Sequence, residues 1–188
     1  MTPICELAER QDTDKGPRGV NASLGVFPGH NYTPTYHALF DPIRERVQSI
    51  CELGVWSGGS LHVWADYFPA AFLHAVDIEY GRLDEWAANS PRVMRHLCNQ
   101  SDHGGLVEVA RLAGGFDIVV DDGSHNPDDM TASMAALWYH ARYWYVIEDI
   151  RREHLAAYLP IWNGIAGRPR MEIQSALSPD VVALAWGR

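Results

Sequence analysis

The sequence predicts an α/β fold, a Rossmann-like and mostly parallel sheet of seven strands with helices on both faces and an antiparallel hairpin near the carboxyl end. Three observations predict it. Residues 50–64 read ICELGVWSGGSLHVW, a short apolar strand, a glycine turn and the start of a helix. Apolar runs at 71–76, 116–120 and 145–147 each lead straight into acidic residues and alternate with helical patterns, as parallel βα units do. The runs at 171–176 and 181–186 are joined across Ser178-Pro179-Asp180, a turn that suits an antiparallel pair.

Length and composition narrow the function. The 188 residues fit one domain, 1–188, whose first 35 residues form a lid or loop segment. No apolar run is long enough for a bilayer, and Glu6, Glu9 and Arg10 interrupt any leader-like start, so the expectation is a cytoplasmic protein with no membrane partner. A net charge of -9 without a basic stripe disfavours nucleic acid. Cys5, Cys51 and Cys98 are odd in number and in no C-x-x-C pair, which reads as reduced thiols.

In chain order, segment 1–35 is rich in Gly, Pro, Asn and charge, which predicts loops and short helical turns. Its aromatic-rich run from His30 through Tyr32 to Tyr36 is costly to leave wet, so the segment folds over the sheet edge, a cofactor or a substrate. Residues 36–49 carry Leu39, Phe40, Ile43 and Val47 at helical spacing opposite Arg44, Glu45 and Arg46. Strand 50–55 then meets Gly54, Gly58 and Gly59, which let a ligand approach the backbone, and Ser60 opens a helix whose free N–H groups face the same crevice. Asp77, at the tip of the next strand, is placed to accept both hydroxyls of a ribose. Residues 79–89 predict a mixed helix, 92–97 a strand and 106–112 a helix, and Gln100, Ser101 or Asp102 in the polar turn between the last two is placed to hold an adenine.

Two acid pairs carry the chemistry. Strand 116–120 runs into Asp121-Asp122-Gly123-Ser124-His125, and strand 145–147 ends in Glu148-Asp149. Adjacent carboxylates repel, so two such pairs at neighbouring strand ends call for a cation. Oxygen ligands suit a hard divalent ion, Mg²⁺ or Mn²⁺, rather than Zn²⁺.

The E-x-G-x-x-x-G-G spacing from Glu52 to Gly59 lacks the G-x-G-x-x-G of dinucleotide sites and resembles the first motif of class I S-adenosylmethionine-dependent methyltransferases. T-D-K at 13–15, H-x-Y at 30–32, F-D-I-V-V-D-D-G-S-H at 116–125 and Y-V-I-E-D-I at 145–150 extend it. Together they resemble the metal-dependent macrocin- and mycinamicin-type sugar O-methyltransferases. The resemblance implies Asp122, Glu148 and Asp149 as metal ligands, His125 as general base, and Glu52, Gly54, Asp77, Gln100 and Asp121 around S-adenosylmethionine with Tyr32 nearby. It implies a hydroxylated small-molecule acceptor, a sugar of a natural product, whose hydroxyl is acidified by the ion and deprotonated by His125.

Two departures fall on the acceptor side. His140-Ala141-Arg142-Tyr143-Trp144 stands where the family has a Pro-Gly-Gly turn, and Arg151-Arg152-Glu153-His154 replaces an aromatic continuation. No extra amino-terminal domain is expected. A catechol-like or other small acceptor, and a binding protein for S-adenosylmethionine without catalysis, are the alternative readings. Residues 154–165 predict a helix despite Pro160, and Trp138, Tyr139, Tyr143 and Trp144 are read as core, with a homodimer contact as their other use.

Overall fold

The computed structural model describes residues 1–11, 13–21, 25–167, 170–176 and 178–188. Residues 12 and 22–24 of the expected lid therefore lie outside the described residues. The chain opens with α1 (Pro3–Ala8), the antiparallel hairpin of β1 (Arg18–Asn21) and β2 (Gly25–Pro28), and α2 (Thr33–Phe40). It then alternates through β3 (Ser49–Leu53), α3 (Gly59–Tyr67), β4 (Phe72–Asp77), α4 (Glu85–Asn89), β5 (Val93–Leu97), α5 (His103–Ala113) and β6 (Phe116–Asp121). Finally come α6 (Pro127–Leu137), β7 (Ala141–Arg151), α7 (Arg152–Ala166), β8 (Met171–Gln174) and β9 (Val181–Gly187).

Seven strands form one sheet in the order β5-β4-β3-β6-β7-β9-β8. The first five are parallel and β9 and β8 run antiparallel, as the sequence predicts. One buried cluster packs α1, α2 and α3 on one face, with Tyr36, Phe40, Trp64 and Phe68 at its centre. A second packs α5, α6 and α7 on the other, around Met134, Tyr145, Trp162 and Trp186. The chain leaves β3 for β4 and β5, then crosses back to β6, so the order reverses between β3 and β6. Ligands of such sheets bind in the crevice above that reversal.

Several elements differ from the sequence expectation. The helix expected over 36–49 starts at Thr33, tightens into a 3₁₀ turn over Asp41–Arg46 and stops there, because Pro42 has no amide to continue the α ladder. The helix expected over 79–89 shrinks to α4, since Asp84 caps it by accepting from the Ala87 amide at 2.7 Å. Helix α6 was not foreseen, although Asn126 accepting from Asp128 N at 2.9 Å, with Pro127 behind it, is a strong start signal. The β1–β2 hairpin was not foreseen either. Strand β7 does not end at Ile147: β6 stops pairing with it there, and β9 carries it to Arg151 with a break in register between Ile147 and Ile150. Trp138 is core, whereas Tyr139 is 71% exposed.

Candidate active site

Sheet register builds the site. Val76, Leu53, Asp121 and Ile147 stand opposite one another across β4, β3, β6 and β7. The next residues, Asp77, Gly54, Asp122 and Glu148, therefore stand side by side at the carboxyl edge of the parallel strands. Gly54 sits at φ +77°, and a Cβ there would lie 2.2 Å from the Asp122 carbonyl oxygen. Its missing side chain thus makes room for the acid loop, rather than for a ligand as the sequence reading has it. Gly58, at φ +90°, similarly makes room for Ala87 of α4.

A cleft of about 610 Å³ opens above this edge. Of the residues singled out in the sequence, Gly54, Ser60, Asp77, Gln100, Asp122, His125 and Asp149 line it. Asp77 accepts from Val55 N at 2.9 Å and Ile78 N at 2.7 Å, which locks the glycine turn onto β4. Gln100 accepts from Ser124 N at 2.8 Å and donates to Asp121 at 2.5 Å.

The structure does not bring the others into the cleft. Asp102 caps α5, accepting from Gly105 N at 2.9 Å, and Ser101 is exposed and bonded to Asn99. Asp121 is fully buried beneath Gln100 and Ser133, and burial pushes its pKa up to about 7. Glu52 is buried against Ser60 Oγ at 2.7 Å and Trp64 Nε1 at 3.1 Å. Tyr32 lies fully buried behind the cleft and donates its hydroxyl to Asp149 at 2.8 Å. Glu148 lies behind it too, accepting from Tyr36 OH at 2.7 Å.

Sequence reasoning assigned no role to Lys15, although it lay inside the noted T-D-K run. Its ammonium is 2.9 Å from Glu148, 3.5 Å from Glu52 and in close contact with Asp122. Burial works against that charge, but the three carboxylates hold the Lys15 pKa well above its usual value. Burial likewise opposes the Asp122 charge, yet Lys15 and His125 hold its pKa down at about 2. Burial and the neighbouring carboxylates push Glu148 and Asp149 upward. Trp56 and Ile78, which are 61% and 66% exposed, form an apolar lip that was also overlooked.

His125 and Asp149 adopt positive φ, 57° and 54°, a costly conformation for residues with a Cβ and one that concentrates at functional sites. His125 Nε2 is 3.1 Å from Asp122 Oδ1 and 4.0 Å from Asp149 Oδ2, and the hydrogen bond to Asp122 raises its pKa. A second cleft of about 740 Å³ shares Ser124, His125 and Asp149 with the first and continues past His30, Arg151 and His154. His125 and Asp149 thus stand in the wall between two clefts. Asp122, His125 and Asp149 each offer an atom within 4.8 Å of the others, two carboxylate oxygens and a ring nitrogen, and Asp14, His30 and Asp149 form a second such group; the carboxylate oxygens are the donors that a hard divalent cation takes.

No family model matches the chain. It is 34% identical over 155 residues to demethylmacrocin O-methyltransferase of Streptomyces fradiae, covering 78% of this chain and 37% of that protein. It is also 34% identical over 148 residues to mycinamicin VI 2''-O-methyltransferase of Micromonospora griseorubida, covering 74% of this chain and 34% of that one. The solved MycE methyltransferase of the mycinamycin biosynthetic pathway, in complex with Mg and SAH, superposes with a TM-score of 0.65 at 33% identity, over 88% of this chain and 40% of its own. The fold is that of the class I methyltransferases. The chain spans little more than a third of the length of these curated relatives. Among the described residues, no helix is long and apolar enough to cross a membrane.

Proposed function

We propose, taking as premise that this chain is a homologue of the macrocin- and mycinamicin-type sugar O-methyltransferases with the class I methyltransferase fold, that it methylates a hydroxyl of a small molecule, a sugar of a natural product. It does so with S-adenosylmethionine and a divalent ion, Mg²⁺ or Mn²⁺. The observation that carries this reading is the position of His125 and Asp149 in the wall shared by two clefts. The first cleft takes the cofactor, and the second takes the acceptor.

Bound S-adenosylmethionine would supply an electrophilic methyl group, and a divalent ion held by Asp122 and Asp149 would lower the pKa of the acceptor hydroxyl. The chain's own residues do the rest. The turn at Gly54, the α3 start at Ser60, and Asp77 and Gln100 orient the cofactor, with Ile78 and Trp56 as apolar walls for its base. Asp122 and Asp149 present oxygens to the cation, with Glu148 behind them. His125, with its side chain 45% exposed, takes the acceptor proton on its imidazole. Oxygen held opposite the transferred methyl is the condition for an in-line displacement, and the two-cleft geometry supports it.

Residues 1–188 act in this reading as one methyltransferase domain, with segment 1–35 as a cover: Thr13, Asp14 and Lys15 line the cofactor cleft. The acidic balance favours a small acceptor over nucleic acid, the setting in this reading is cytoplasmic, and Tyr139 is an exposed aromatic available for a homodimer contact. The test is calorimetric titration with S-adenosylhomocysteine and with Mg²⁺, then with chelator. Micromolar binding of the first and a chelator-sensitive signal for the second are expected. No binding of S-adenosylhomocysteine overturns the reading.

A further inference from the structure

Lys15 is the only lysine among the 188 residues, against fourteen arginines. It is 3% exposed and reaches three carboxylates from three separate strands, Glu52 of β3, Glu148 of β7 and Asp122 just past β6. An arginine fork needs a planar, bidentate partner, whereas an ammonium is a compact point charge that sits between several oxygens. Glu52 Oε1 has no hydrogen-bond partner among the described residues, and Lys15 is the cation it faces. The charge at this point is therefore shared out by atom. Lys15 faces one oxygen each of Asp122, Glu148 and Glu52, Tyr36 takes the other oxygen of Glu148, and Tyr32 takes Asp149 Oδ1. Asp122 Oδ1 and Asp149 Oδ2 are left on the His125 side.

We propose that Lys15 is a positioning residue that sets the affinity of the cation site by competing with the divalent ion for Asp122, one oxygen of which faces Lys15 and the other the His125 side. The inference rests on the cation site of the proposed function. An ammonium and a divalent ion repel strongly at the distance of one shared carboxylate in a buried setting, so each weakens the hold of the other. The competition reaches the cover as well. The Lys15 carbonyl accepts from Tyr32 N at 2.8 Å and Thr33 N at 3.2 Å, and the Asp14 carbonyl accepts from His30 N at 2.7 Å. Displacing the ammonium therefore loosens the one lysine anchor of the strip that lines the cofactor cleft.

The experiment titrates Mn²⁺ into the full chain and counts free ion by its paramagnetic resonance signal. Lys15→Met is expected to bind Mn²⁺ at least about tenfold more tightly than the unaltered protein, a change worth about 1.4 kcal/mol. Unchanged or weaker binding overturns the proposal, because the ammonium would then assemble the carboxylates instead of competing for them. A second measurement needs no variant. Since Lys15 is the only lysine, acetylation of its amine is read by mass spectrometry, and saturating Mn²⁺ is expected to raise that rate about fivefold or more. A rate that Mn²⁺ leaves unchanged or lowers overturns the proposal even if Lys15→Met fails to fold. Absence of Mn²⁺ binding by both proteins, with S-adenosylhomocysteine still bound, overturns the cation site and this proposal while leaving the methyltransferase reading in place.

Discussion

Tyr36 donates its hydroxyl to Glu148 at 2.7 Å, joining a helix of the amino-terminal segment to β7, the strand that carries Glu148 and Asp149, 112 residues further along the chain. Both groups are buried, so neither finds water if the other is lost. Tyr36→Phe is therefore expected to lower unfolding free energy by about 1–3 kcal/mol, the cost of one unsatisfied buried acceptor, as read by urea denaturation. Affinity for S-adenosylhomocysteine should stay within about threefold, because Tyr36 lies outside the cleft.

His125 belongs to the chemistry rather than to the fold. Its side chain is half-exposed and its main described partner is Asp122. His125→Ala is expected to cut methyl transfer by about 10²–10⁴ while cofactor affinity changes little, checked by turnover beside calorimetry. Equal loss of binding and turnover would place the histidine in cofactor recognition instead.

Gly54 leaves no room for even a single methyl group. Ala at this position adds a strained positive φ, about 1–2 kcal/mol, to a Cβ only 2.2 Å from the Asp122 carbonyl. Gly54→Ala should weaken S-adenosylhomocysteine and Mn²⁺ binding together. An effect on the cofactor alone would show that the two loops move independently.

His74 reports on acid stability away from the site. Burial first, and then the facing His96, lowers its pKa to about 4. Because the folded-state value lies below the unfolded one, the contribution is complete above pH of about 6.5 and is lost as pH falls toward 4. The loss is on the order of 3 kcal/mol. His74→Gln should flatten that limb of a denaturation series between pH 6.5 and 4, and an unchanged slope would assign the acid loss to other groups.

Much of this architecture was legible because strand ends announce themselves. Apolar runs that stop at Asp77, at Asp121-Asp122 and at Glu148-Asp149 located three parallel strands and the edge where they open. Parallel neighbours in register then bring those ends together. What was not legible depends on distant partners. Ser101 and Asp102 look like ligands in the sequence but serve a turn and a helix cap, which is the commoner use of such residues. Lys15 looked like loop charge, since nothing local shows that its three partners lie 37, 107 and 133 residues away. Gly54 and Gly58, read in the sequence as openings for a ligand, are close approaches of the protein's own backbone and side chains.

The extension of β7 beyond β6 has a consequence for the far edge of the sheet. Past Ile147, the ladder partner recorded for this strand is β9, which pairs with Ile150 and Arg151 through Val182 and Val181. The last strand is thus a splint for the acid pair: it grips β7 on the far side of the register break and keeps Glu148 and Asp149 aimed, while its first residue, Val181, lines the second cleft. Wear at residues 181–182 would blunt the reaction centre as surely as an injury within it.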